Sequence, residues 1–175
     1  MRTRFRHVWA VAVAAALLAP AAAAQAPVVA SEALRTWSAP DGWLTQLRRH
    51  PDGTASCATA KSFTDPRAFG VFMLRSGDVT LFSLVDQHQP FAQPGPLTVL
   101  QAGRALGTFG TQGQGAALAT TEAGSARVQE MIDQLDGSVV IIAAAGRQYT
   151  ANFAGIGPAR VQLAACVAQI AKAVR

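Results

Sequence analysis

Two cysteines, one tyrosine and a charged fraction of only 14% leave these 175 residues little material for site chemistry. No CxxC or HxxxH spacing occurs, and Cys57, Cys166, His50 and His88 are too few and too scattered to predict a metal site. No serine sits in a G-x-S-x-G elbow. The glycine-rich stretch GTFGTQGQG (107–115) lacks the Lys-Ser/Thr ending of a phosphate loop and does not run into a helix, so it reads as a turn between strands. Basic residues downstream of the N-terminus are single apart from Arg48-Arg49, which argues against a phosphate-tracking stripe and against a nucleic-acid partner. Asp133 and Asp136, with Glu130 one turn earlier, read as the solvated face of a helix, and no second carboxylate pair suggests glycosidase chemistry. Internal repeats are missing too. No cofactor is implied.

What the sequence does have begins at its N-terminus. Arg2, Arg4 and Arg6 precede a short, alanine-rich apolar run that ends in small residues, the pattern of a secretory signal peptide. Ala22 and Ala24 place the expected cleavage before Gln25. The apolar stretch from Val8 to Ala24 is 17 residues long, short of the roughly 20 that a membrane-spanning helix needs. Residues 1–24 are therefore expected to leave, with no integral membrane segment behind them and a periplasmic or secreted product. Removal of three arginines leaves 12 basic residues against 10 acidic, a net charge of +2 rather than +5.

Export changes the meaning of the cysteines. In an oxidising compartment an even pair is usually joined, and here only one intramolecular pairing exists, Cys57–Cys166, closing a loop of 110 residues. The alternative is that Cys166 packs as a small free thiol on an apolar helix face.

Residues 25–36 read as an extended arm, followed by one globular domain over 37–175. Alternation predicts a strand at 43–49, and Pro51, Asp52 and Gly53 turn it toward a partner at 57–63. Two apolar runs around Ser76-Gly77 suit central strands. The stretch QHQPFAQPGP (87–96) holds three prolines and must be a loop. Further strands are expected on both sides of Ala102-Gly103, over AALATTEA and on both sides of Gly146. Val128, Met131, Ile132 and Leu135 form one helical stripe, with Ser125 expected as its N-cap and Gly137 as its stop. A last helix is expected to open at Pro158 and to carry Leu163, Cys166, Val167, Ile170 and Val174 on one face. The sum is an α+β chain, mainly antiparallel β with about eight strands in a curved sheet or partly open barrel, and two helices, one of them C-terminal.

Phe153, Gly155, Ala159, Leu163 and Cys166, with Trp43 and Cys57 as an N-terminal counterpart, give the chain a resemblance to the invasion-associated locus B family of small exported alphaproteobacterial proteins. That resemblance implies an exported, mainly β domain associated with the cell envelope, and it transfers no catalytic residue.

Three functions follow as expectations. The first is a non-enzymatic binding or accessory protein of the envelope, whose partner would be another envelope protein. A serine hydrolase using Ser83, Asp86 and His88, which fall within six residues in SLVDQH, is the second. The third is a structural or assembly subunit. Trp37, Trp43 and Phe91 are the aromatics expected nearest the surface, and Phe91, in the proline-rich loop, is the candidate partner contact. Against that, Phe91 could tuck back over the sheet edge.

Overall fold

A computed structural model describes residues 31–64, 69–76, 78–113 and 115–173. The expected signal segment 1–24 and the start of the arm lie outside these residues, as does the side chain of Val174. The strands are β1 (Glu32–Ser38), β2 (Leu44–Arg49), β3 (Ala55–Phe63), β4 (Phe69–Ser76), β5 (Val79–Val85), β6 (Pro96–Gln101), β7 (Arg104–Gln112), β8 (Ala117–Thr120), β9 (Val139–Ala144) and β10 (Arg147–Asn152). The helices are α1 (Ser125–Gln134) and α2 (Ile156–Ala173). All ten strands form one sheet in the order β1-β2-β3-β4-β5-β8-β7-β6-β9-β10, and every pairing is antiparallel.

The sheet is mainly antiparallel, as expected, but it holds ten strands rather than about eight. Strand β1 is the addition that alternation could not reveal. Six of its seven residues are exposed, so neither face is marked by apolar side chains and the period-2 signal is lost. It runs through the stretch read as an arm and past the expected domain start at residue 37.

Strands β4 and β5 are unbroken apolar runs because both of their faces are covered. Phe69, Val71, Met73, Phe82 and Leu84 enter the main core, while Phe72 and Val85 join Ala117 in a smaller cluster. The first five strands are successive hairpins, and the Ala102-Gly103 and Ala145-Gly146 turns close two more. All four residues of those turns have positive φ, from 50° to 76°, the two-residue geometry that matches strand twist.

The sheet is open, since β1 and β10 do not pair with each other. It nevertheless coils until its last strand meets its early ones through side chains. The Tyr149 ring on β10 lies 5.2 Å from that of Phe69 on β4. Lys61 Nζ on β3 donates to the carbonyls of Asn152 (2.9 Å) and Ala154 (3.3 Å), and Trp43 Nε1 donates to Ala154 O at 2.8 Å.

Helix α1 packs on β5 and β7, and α2 packs on β2 and β3. Both contribute to one core: Val128, Met131 and Ile132 from α1, and Ile156, Ala159, Leu163 and Cys166 from α2. Three helix ends differ from expectation, the first being the end of α1, which closes at Gln134 with Leu135 as its C-cap, so that Gly137 lies beyond the C′ position. Ser125 is not the N-cap of α1, a position held by Gly124. Its hydroxyl instead accepts the Thr80 N–H at 2.7 Å and donates to Asp78 O at 3.1 Å, tying the helix to β5. Helix α2 begins at Ile156, two residues before Pro158. Proline is tolerated there because the first-turn N–H groups have no intrahelical acceptor.

Candidate functional site

The segment SLVDQH leaves β5 with its polar residues pointing apart. Phe82 and Leu84 belong to the main core and Val85 to the opposite cluster, so Ser83 and Asp86, three positions apart, fall on opposite faces of the pleat. Ser83 sits between Phe72 on β4 and Ala119 on β8. His88 is exposed in the loop, and its backbone N–H, donating to Asp86 Oδ1 at 3.0 Å, is what links the two. The three residues considered for hydrolase chemistry are thus not brought together on one face.

Asp86 has different company. Its side chain is fully buried. Oδ1 accepts the backbone N–H groups of His88 and Gln89, the latter at 2.8 Å, which folds the chain back at the strand end. Oδ2 accepts the Tyr149 hydroxyl at 3.0 Å and lies 3.5 Å from Arg147 Nη1. Arg147 also donates to the carbonyls of Gln89 and Pro90 and lies over the Phe91 ring, 5.2 Å from its centroid. Burial pushes the Tyr149 phenol above its ordinary pKa; the Arg147 hydrogen bond opposes that shift and the Asp86 carboxylate adds to it. This cluster holds the proline-rich loop against β10 and fastens one end of the open sheet. Its chemistry is that of a satisfied buried carboxylate.

Phe91 is therefore not an exposed partner contact. It is 1% exposed, belongs to the main core and exchanges two backbone hydrogen bonds with Gly115, at 2.6 and 2.9 Å. Burying its ring outweighs leaving it in a loop otherwise held only by polar groups. Trp43 is likewise corrected from surface to core. Its ring is fully buried and lies edge-on to Phe153, with 5.4 Å between centroids. Trp37 stays half-buried against the core.

Cys57 and Cys166 are joined, with their Cα atoms 6.0 Å apart. Cys57 lies on β3 opposite Leu47 of β2, and Cys166 lies on α2 with its sulfur 3.9 Å from Gln46 O. Both residues are fully buried. The bond fixes α2 across β2 and β3, beside the hydrogen-bonded pair Thr45–Thr59 (2.9 Å). At the start of α2, Gly155 adopts φ +79°, and a Cβ there would lie 2.5 Å from Pro40 O and 2.8 Å from Asp41 Oδ2. Only glycine allows the turn into the helix to come that close. Lys61 sits at the same end, over the Trp43 and Phe63 rings, and burial lowers its pKa against the pull of Asp41.

Arg48 is a second buried charge. It is 3% exposed and donates to Ser31 Oγ, Ser31 O and Gln46 Oε1, each at 2.8 Å. Burial lowers its pKa. No group of three His, Cys, Asp or Glu residues among the described residues could hold a metal ion. Arg147 and Tyr149 were absent from the sequence-based site because their partner, Asp86, lies 61 and 63 positions away. Their i, i+2 spacing would have shown only that they share a strand face.

Fold and site together define a coiled, open antiparallel sheet stapled by one disulfide to its last helix. No protein family, curated protein or solved structure matches the chain.

Proposed function

We propose that this chain is an exported, non-enzymatic binding or accessory protein of the bacterial cell envelope, of the kind its resemblance to the invasion-associated locus B proteins implies. The observation that carries the reading is the Cys57–Cys166 bond, which spans 109 positions and joins the last helix to an early strand. Structural disulfides of this kind persist in oxidising compartments and are rare where thiols are kept reduced. The arginine-led apolar leader favours the same address. Placement of Ser83 and Asp86 on opposite faces favours binding or assembly over serine-hydrolase chemistry. Among the described residues no helix is long and apolar enough to cross a membrane, and a net charge of +2 after leader removal favours a protein partner over nucleic acid.

Fractionation of cells expressing the chain with a C-terminal tag tests the reading. The expected product is periplasmic and about 2.5 kDa lighter than the translated chain, for the 24 residues of the leader. Full-length chain in the cytosol or the membrane pellet refutes it.

A further inference from the structure

Cys57, on β3, and Cys166, on the core-facing side of α2, are both 0% exposed, so no reagent reaches their sulfurs while that helix is docked. Thiol–disulfide exchange needs a thiolate to approach a sulfur in line with the bond it breaks, and a covered sulfur offers no such path. We infer that the Cys57–Cys166 bond is installed before α2 docks, by a protein dithiol oxidase acting on the still-open chain, and that no disulfide isomerase is required. This rests on the export reading for where the oxidase acts, but not for the order of events.

Chemistry and chain order supply the steps. Cys57 is made 109 positions before Cys166, so it meets the oxidase first. Its thiolate attacks one sulfur of the oxidase disulfide, forming a mixed disulfide and releasing the other oxidase sulfur as a thiolate. When the chain through Cys166 is available, the Cys166 thiolate attacks the Cys57 sulfur, closing the native bond and expelling the second oxidase thiolate. Two protons leave the chain's thiols, two electrons pass to the oxidase, and the oxidase ends as a dithiol. Isomerisation has nothing to correct, because two cysteines allow one intramolecular pairing. Docking of α2, with Leu163 and Cys166 turned into the core, then seals the product against reduction.

Oxidation rates of the purified, reduced chain test the order, with oxidised glutathione as the probe. The same probe is added either at the moment of dilution from denaturant or after refolding is complete, and bond closure is followed by thiol alkylation. Closure in the refolded chain is expected to be about tenfold slower or more, because it waits for local opening of α2. Equal rates overturn the inference. In cells, Cys166→Ser is expected to leave Cys57 trapped in a mixed disulfide with an oxidase variant that lacks its own second cysteine, since neither the chain nor the oxidase then holds a resolving thiol, and loss of a disulfide isomerase is expected to leave oxidation of the unaltered chain unchanged. No trapped species, or dependence on the isomerase, overturns it as well. Failure of export would appear in the fractionation and leave the ratio of the two glutathione rates untouched, so the two proposals fail separately.

Discussion

Replacing Asp86 with alanine removes the buried carboxylate that ties the start of the proline-rich loop to β10, and leaves the Arg147 hydrogen bonds to the carbonyls of Gln89 and Pro90 in place. Three donors lose a bond to this carboxylate, the Tyr149 hydroxyl and the N–H groups of His88 and Gln89, and Arg147 loses its counter-charge. Losing the buried hydrogen bond from the Tyr149 hydroxyl to the Asp86 carboxylate costs about 1–3 kcal/mol. The two loop N–H groups lose bonds to a charged acceptor but lie beside exposed residues, where water replaces part of the loss. Arg147, with 26% of its side chain exposed, can turn toward solvent, so the ion-pair contribution is discounted toward that of a surface pair. The total is about 3 kcal/mol, below the roughly 5 kcal/mol upper figure for breaking a fully buried pair. With a urea m-value of about 2 kcal/mol/M, that moves the unfolding midpoint down by about 1.5 M. Asp86→Asn keeps an acceptor for the loop and is expected to cost about half as much. Ser83→Ala and His88→Ala are expected to stay within about 1 kcal/mol of the unaltered chain. An Asp86→Ala midpoint within 0.5 M (about 1 kcal/mol) of the starting value refutes the reasoning. So does a His88→Ala loss as large as that of Asp86→Ala.

Gly155→Ala places a methyl group 2.5 Å from Pro40 O at φ +79°, whereas at Gly103, with φ +76°, nothing lies within 4 Å of the place a Cβ would take. Gly103→Ala is expected to cost about 1–2 kcal/mol from the left-handed backbone alone and Gly155→Ala about 2 kcal/mol more, read as a lower melting temperature; equal losses would show that the close approach carries no weight. Cys57→Ser, Cys166→Ser and the double change are expected to lose the same amount, up to about 4.8 kcal/mol from the entropy of a loop spanning 109 positions. Denaturant titration measures the losses. Maleimide labelling of both cysteines in unfolded, unreduced protein would show that there was no bond to lose.

Local signals in the sequence determined most of the elements. The apolar runs of β4 and β5, the stripe of Val128, Met131 and Ile132, and the Ala102-Gly103 and Gly146 turns were legible because propensity, period and backbone freedom act over a few neighbouring residues. The disulfide was legible by counting, since two cysteines offer a single intramolecular pairing. Strand β1 was not. It is held by backbone pairing to β2 while six of its seven residues stay exposed, and backbone bonding leaves no mark on side-chain composition. The fates of Trp43 and Phe91 were also decided only in three dimensions, where coiling of the sheet brought Phe153 and Arg147 over their rings. Asp86 shows the same division most sharply. Its neighbours in sequence suggested a serine hydrolase, yet the pleat turns Ser83 to the other face, and the coil delivers Tyr149 and Arg147 from more than sixty positions away. Periodicity records which way a side chain points, but not what a curved sheet will set in front of it.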